Sequence, residues 1–221
     1  EPNEALGVVY RELTVILRNE MPGIPILEPV LPTEKGEGAL DIWCPSADVY
    51  ENNREFFDRQ ADRGDRLFVY TCLTPGGNYL NRLLDMERLR IVYFGWLPAR
   101  YPRIEGYLHW GANQYLGVDP YKRSCCMFSE QLLEFHPKRA MFLPAGDFGI
   151  FYPGYREPYI SVRSEAHRIG YEDLCMLEAL REKDPEREEE ILDAVFRGCA
   201  DYEKSVEKYR DARRELLEAL L

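Results

Sequence analysis

The chain has 221 residues, 45% of them hydrophobic, enough to bury the core of one sizeable domain. No apolar run approaches the roughly 20 residues that a membrane-spanning helix needs. Its 39 acidic against 28 basic residues leave a net charge of -11, which repels phosphate backbones and anionic headgroups, so neither nucleic acid nor a membrane is an expected partner.

Six cysteines without a C-x-x-C pair make neither a disulfide scaffold nor a zinc knuckle, and they leave the compartment open, a secreted or periplasmic parent included. The chain begins without Met and runs almost at once into a helical pattern, so its start reads as cut. Over residues 4–19, Leu6, Val9, Leu13 and Ile16 recur at helix spacing and predict a helix with that face inward, stopped at Pro22 and Gly23. "IPILEPVL" and "LDIWCP" predict two short strands around the glycine-rich "TEKGEGA".

One amphipathic helix is predicted over residues 49–63, with Phe56 and Phe57 inward and Gly64 as its cap. "RLFVYTCL" is the third strand, the periodicity of residues 79–96 predicts a helix, and "GYLHWGA" is the fourth strand. Strands alternating with helices imply βαβ units and a parallel sheet. Residues 116–159 form a long irregular excursion in which "MFLPAGDFGIFYPG" resembles a hairpin. A helix is predicted over 161–181, and one long charged helix over 185–220.

In parallel α/β folds the site lies where loops leave the carboxyl ends of the strands. Those ends carry Trp43 and Cys44, Tyr70 and Cys72, then His109, Trp110 and Asn113. Flat rings suit the C–H faces of a sugar, while Asn, His and Asp orient its hydroxyls. A cup formed by Trp43, Tyr70 and Trp110 is therefore the expectation, although alternation fits Trp43 and Tyr70 equally well as core residues. Asp147 in "AGDFG" suits a turn that accepts backbone N–H bonds, or a loop that binds a hydroxyl. Cys44, Cys72 and His109 lack a fourth ligand, so no metal and no cofactor is expected. In "SVRSEAHRIGYEDL" the charges Arg163, Glu165, Arg168, Glu172 and Asp173 read as scaffold contacts, with His136 and His167 on the surface or a helix face.

Taken in order, "DIWCP", "YTCLTPGGNYLNRLLD", "GYLHWGANQY", "LPAGDFGIFYPG" and "SVRSEAHRIGYEDL" resemble the C-terminal half of the catalytic domain of glycoside hydrolase family 123. The resemblance implies strands five to eight of a (β/α)8 barrel over residues 1–183, with a helical extension over 184–221 packed on it. It also implies a retaining β-N-acetylgalactosaminidase that uses substrate assistance, an exception to the two-carboxylate scheme. The opening "EPNEA" places Glu1 where the family has the Glu of its catalytic Asp-Glu pair. Beside an ammonium rather than an Asp, Glu1 is expected to be a poor acid, and this segment alone is expected to be inactive. On a glycosidase reading Trp43, Tyr70 and Trp110 would wall the pocket and His109, Asn113 and Asp147 would bind hydroxyls or the acetamido group; Asn81, which with Asn113 fits the pattern of an uncharacterised branch of the family, is a further candidate at the sugar. A non-catalytic carbohydrate-binding module is the alternative. A half-barrel also exposes strand edges, so self-association is expected.

Overall fold

The computed structural model describes residues 7–115, 118–124 and 143–221. Four short strands, β1 (Leu27–Pro29), β2 (Ile42–Cys44), β3 (Arg66–Tyr70) and β4 (Ile104–Leu108), pair in sequence order as one wholly parallel sheet. Parallel neighbours need crossovers. The β2–β3 crossover holds helices α2 (Ala47–Asn52) and α3 (Arg54–Asp62), and the β3–β4 crossover holds α4 (Leu89–Arg100). Between β1 and β2 there is only a 3-10 turn at Glu34–Gly36, capped by the Thr33 side chain.

Leu67 and Val69 of β3 are buried while Phe68 and Tyr70 are only partly so, because alternate residues face opposite sides of the strand. The Leu67 side packs under the helices. There Trp43, Leu67, Val69, Phe94, Trp96 and Leu177 share one apolar cluster.

Several elements depart from the sequence expectation, each for a local reason. The single helix predicted over 49–63 is two, broken at Asn53, whose amide donates to Val49 O at 2.9 Å and so competes with the backbone ladder. Gly64 does close the second one, at φ +103° and with its N–H on Ala61 O. The helix predicted over 79–96 starts only at Leu89, because the preceding loop is held open by Arg90, which donates to Gly77 O and Tyr79 O.

In the excursion, the antiparallel pair is β5 (Phe151–Tyr152) with β6 (Tyr159–Ile160), so the second strand lies beyond "MFLPAGDFGIFYPG". After α5 (Val162–Lys183), the single long helix predicted over 185–220 is also two, α6 (Pro185–Val195) and α7 (Val206–Leu220). Asp184 and Ser205 cap their starts. The turn between them folds back on the β3–α4 loop, where Leu80 N–H donates to Cys199 O at 2.8 Å. Ile191, Val195, Tyr209 and Leu216 of these two helices are buried, whereas Val206 is exposed.

Helix α1 (Gly7–Glu20) reverses its expected orientation. Val9, Leu13 and Ile16 are 54%, 52% and 56% exposed. The helix is docked through its polar side instead. Arg11 donates to Lys35 O at 2.7 Å and Glu37 O at 2.9 Å, Arg18 meets Asp41 at 3.0 Å, and Thr14 is buried.

Within "SVRSEAHRIGYEDL" the scaffold contacts are present. Asp173 is fully buried and joins α5 to α4 and α7 through Trp96, Tyr209 and Arg213. His167 is on a helix face, as expected, and half-buried. It packs against the rings of Phe94, Tyr107 and Tyr171, and burial pulls its pKa down to about 3. His136 lies outside the described residues, as do Cys125 and Cys126.

Candidate active site

The loops leaving β3 and β4 meet at the carboxyl end of the sheet. Thr71 N–H donates to Leu108 O, and the Thr71 and Tyr107 hydroxyls lie 2.6 Å apart in a hydrogen bond. Next along the chain, Asn81 staples the β3 loop: its amide donates to Cys72 O at 2.9 Å and Pro75 O at 3.0 Å, and its oxygen accepts the Arg82 N–H.

Arg82, nearly fully buried, reaches across to the β4 exit. There its Nη2 donates to His109 Nδ1 and to Gly111 O. A third segment closes the group. Residues 143–150 turn beneath the β4 exit, with Leu84 N–H on Ala145 O and Ile150 N–H on Ala112 O, both at 2.8 Å. Arg163, at the start of α5 and fully buried, ties this turn down by donating to Gly146 O, Gly149 O and Arg82 O.

Asp147 is the carboxylate at the centre. It is fully buried; one oxygen accepts the Trp110 indole N–H at 3.0 Å, and the other lies 3.2 Å from His109 Nε2. The second contact has ion-pair distance but not hydrogen-bond alignment. Burial is the main cause pulling the His109 pKa down, opposed by Asp147 and assisted by Arg82, so the ring is neutral near pH 7. Burial also lowers the Arg82 pKa, which leaves a guanidinium still charged. Trp110, stacked at 23° on the His109 ring, remains 38% exposed above this buried layer.

The predicted site residues divide accordingly. Trp43 is a correction. It is fully buried, meets Phe56 and Phe57 edge-on beneath α3, and donates to Asp65 at 2.9 Å. Since Trp43 pairs with Leu67, it shares the helix-side face, and Tyr70 points to the other. The three-ring cup is therefore not formed. Asn81 and Asp147 are corrections too, because both are fully buried with their polar atoms turned to protein groups. The His109 side chain is 3% exposed, so it too supports rather than lines a pocket. Trp110 and Asn113 are exposed and Tyr70 is half-buried. Glu1 lies outside the described residues.

Arg82 is the residue that a functional reading of the sequence passes over, whereas Arg163 reads there as a scaffold charge and does hold the 143–150 turn. The signal was a polar Asn-Arg pair inside the apolar run "YLNRLLD", since a polar pair that cannot reach water must be satisfied by backbone. Among the described residues, no three His, Cys, Asp or Glu side chains come together as metal ligands would, so Cys44, Cys72 and His109 do not form such a set. Among the described residues, no helix is long and apolar enough to cross a membrane.

The family model described as "Glycoside hydrolase 123, catalytic domain" matches residues 8–180. No curated protein matches the chain. Among solved structures, the chain is similar to a family 123 glycoside hydrolase from Clostridium perfringens that was solved for the details of its glycolipid glycan hydrolysis. The TM-score is 0.62 and the identity 16%, over 100% of this chain and 38% of that one. At that identity the likeness is one of fold, and this chain spans 38% of the other's length.

Proposed function

The chain belongs to the family of glycoside hydrolase 123 catalytic domains, and from that premise we propose that it receives a β-linked 2-acetamido sugar of the N-acetylgalactosaminide type for hydrolysis with retention. The observation that carries this is Trp110. A partly exposed indole, held by its own N–H at the carboxyl end of a parallel sheet, offers the flat apolar face that stacks on a pyranose ring. Asn113, exposed three residues on, and half-buried Tyr70 at the end of β3 are the polar groups proposed to join it.

In the proposed reaction the acetamido oxygen of the sugar attacks its own anomeric carbon. The glycosidic bond breaks as a carboxylic acid protonates the departing oxygen, a role the family resemblance gives to Glu1 where an Asp precedes it, and an oxazolinium forms. Water, deprotonated by the same carboxylate, then opens that ring and restores the β configuration. Retained configuration in the product of an aryl N-acetyl-β-hexosaminide, followed by NMR, tests the scheme. With the intact protein, Asp-Glu pair included, inversion overturns substrate assistance, and sugar binding without turnover makes the domain a carbohydrate-binding module. Trp110→Ala is expected to weaken binding of methyl N-acetyl-β-D-galactosaminide roughly tenfold, since a stacked ring contributes on the order of 1 kcal/mol beyond its area. Unchanged affinity by titration calorimetry would remove Trp110 from the site.

We read the four strands as strands five to eight of a (β/α)8 barrel, with residues 1–183 as the barrel portion and 184–221 as helices packed on it. Support comes from the sequential parallel order and from what the described residues leave uncovered: the outer edges of β1 and β4 and the apolar face of α1. A groove of about 430 Å³ runs along the β4 edge between α4 and α5, walled by Phe94, Ile104, Tyr107 and Tyr171. Unpaired edges and apolar surface of this kind favour association. The chain alone is therefore expected to pair with another copy as concentration rises, and light scattering that reports a monomer mass throughout would contradict it.

A further inference from the structure

Resting on the reading of Trp110 as the sugar platform, we infer that Arg82 is a positioning residue for that platform, acting through His109 and Asp147. A guanidinium can only donate. The ring nitrogen it meets, His109 Nδ1 at 2.5 Å, must therefore present a lone pair, and the Gly111 N–H points at the same atom from 3.2 Å. Two donors on Nδ1 leave the ring proton on Nε2, the nitrogen 3.2 Å from the Asp147 carboxylate, in an electrostatic contact rather than an aligned hydrogen bond. The opposite tautomer would set an N–H against the guanidinium and a lone pair against the carboxylate, two repulsions in a buried layer.

Asp147 in turn holds Trp110, whose indole N–H occupies its second oxygen. The same guanidinium grips the backbone as well, through Gly111 O immediately after Trp110. Arg82 is itself fixed at its own N–H by Asn81 and at its carbonyl by Arg163. Each member below the indole is buried, so none of them touches the sugar. What they supply is a ring already set in its binding plane, which spares the ordering that association otherwise requires.

The test has a spectroscopic and a binding arm, both on the full chain. In the wild-type protein, 15N NMR at neutral pH should find His109 in the Nε2–H tautomer and the Trp110 indole proton protected from exchange. Arg82→Met removes the donors but keeps the stem. It should accelerate Trp110 indole exchange and raise the Kd for methyl N-acetyl-β-D-galactosaminide roughly tenfold.

An Nδ1–H or imidazolium His109 in the wild type overturns the inference, and that result does not depend on whether the variant folds. A folded Arg82→Met protein with unchanged indole exchange and unchanged affinity overturns it as well. If the wild-type protein shows the tautomer and the variant the faster exchange, yet neither binds the sugar, the substrate assignment falls and the positioning of Trp110 by Arg82 stands.

Discussion

Replacing Asp173 with Ala is expected to destabilise the domain by about 3–5 kcal/mol, the range for breaking a buried ionic network from one side. The carboxylate is fully buried on α5 and receives three donors: Trp96 Nε1 at 3.0 Å, Tyr209 Oη at 2.6 Å and Arg213 Nε at 2.7 Å. These come from α4 and α7, so one side chain ties three helices together. Burial and the facing carboxylate push the Tyr209 pKa up, which keeps its hydroxyl protonated and donating. Arg213, a third exposed, can turn to water when its partner is lost. Fully buried Trp96 cannot, and an orphaned buried donor loses about 1–3 kcal/mol. Asp173→Asn keeps acceptor oxygen while removing charge and should lose about half as much. Denaturant titration reads both as a lower midpoint at constant slope; a midpoint shift equivalent to less than about 1 kcal/mol for Asp173→Ala would show that the three helices do not depend on it.

Gly95→Ala is expected to destabilise by about 3 kcal/mol or more, at or above the upper end of the usual overpacking range. A Cβ at Gly95 would lie 1.8 Å from Gly170 O and 2.0 Å from Gly170 C, and one at Gly170 would lie 2.1 Å from Val92 O. These are backbone atoms, so no rotamer change relieves the overlap. Helices α4 and α5 would have to separate across a cluster that includes Trp96, Phe94 and Leu177. The gain of about 1 kcal/mol in helix propensity from Gly to Ala is too small to compensate. A thermal midpoint equal to or above the wild type would mean that the helices do not cross at these glycines.

Both positions sit where sequence and structure part company in an instructive way. In "HRIGYEDL" the charges at helix spacing are legible as scaffold, and Arg168 does pair with Glu165 and Glu172 along one face. That Asp173 turns inward to two other helices is not legible, because its partners are 36 to 77 residues away in the chain. Gly170 reads only as a weak helix residue until α4 is laid across it.

At the candidate site the same limit applies. The crowd of ring and amide groups after β4 correctly marks the strand exit, and Trp110 and Asn113 do lie open there. The side on which Trp43 lands is set by the register Trp43–Leu67 and by Phe56 and Phe57 above it, none of which alternation within one short strand can report.

Sequence alone determined the parallel α/β arrangement, the family, and where the loops leave the sheet, since period, turn residues and ordered motifs are properties of neighbours along the chain. Tertiary structure decided which polar residues serve the fold and which face solvent. It turned α1 outward, buried Asn81, Asp147 and Arg82, and left the Trp110 ring partly exposed at the β4 exit. The physical reason is that burial depends on what packs against a side chain from distant segments, and a pattern of apolar and polar letters records a face without recording what covers it.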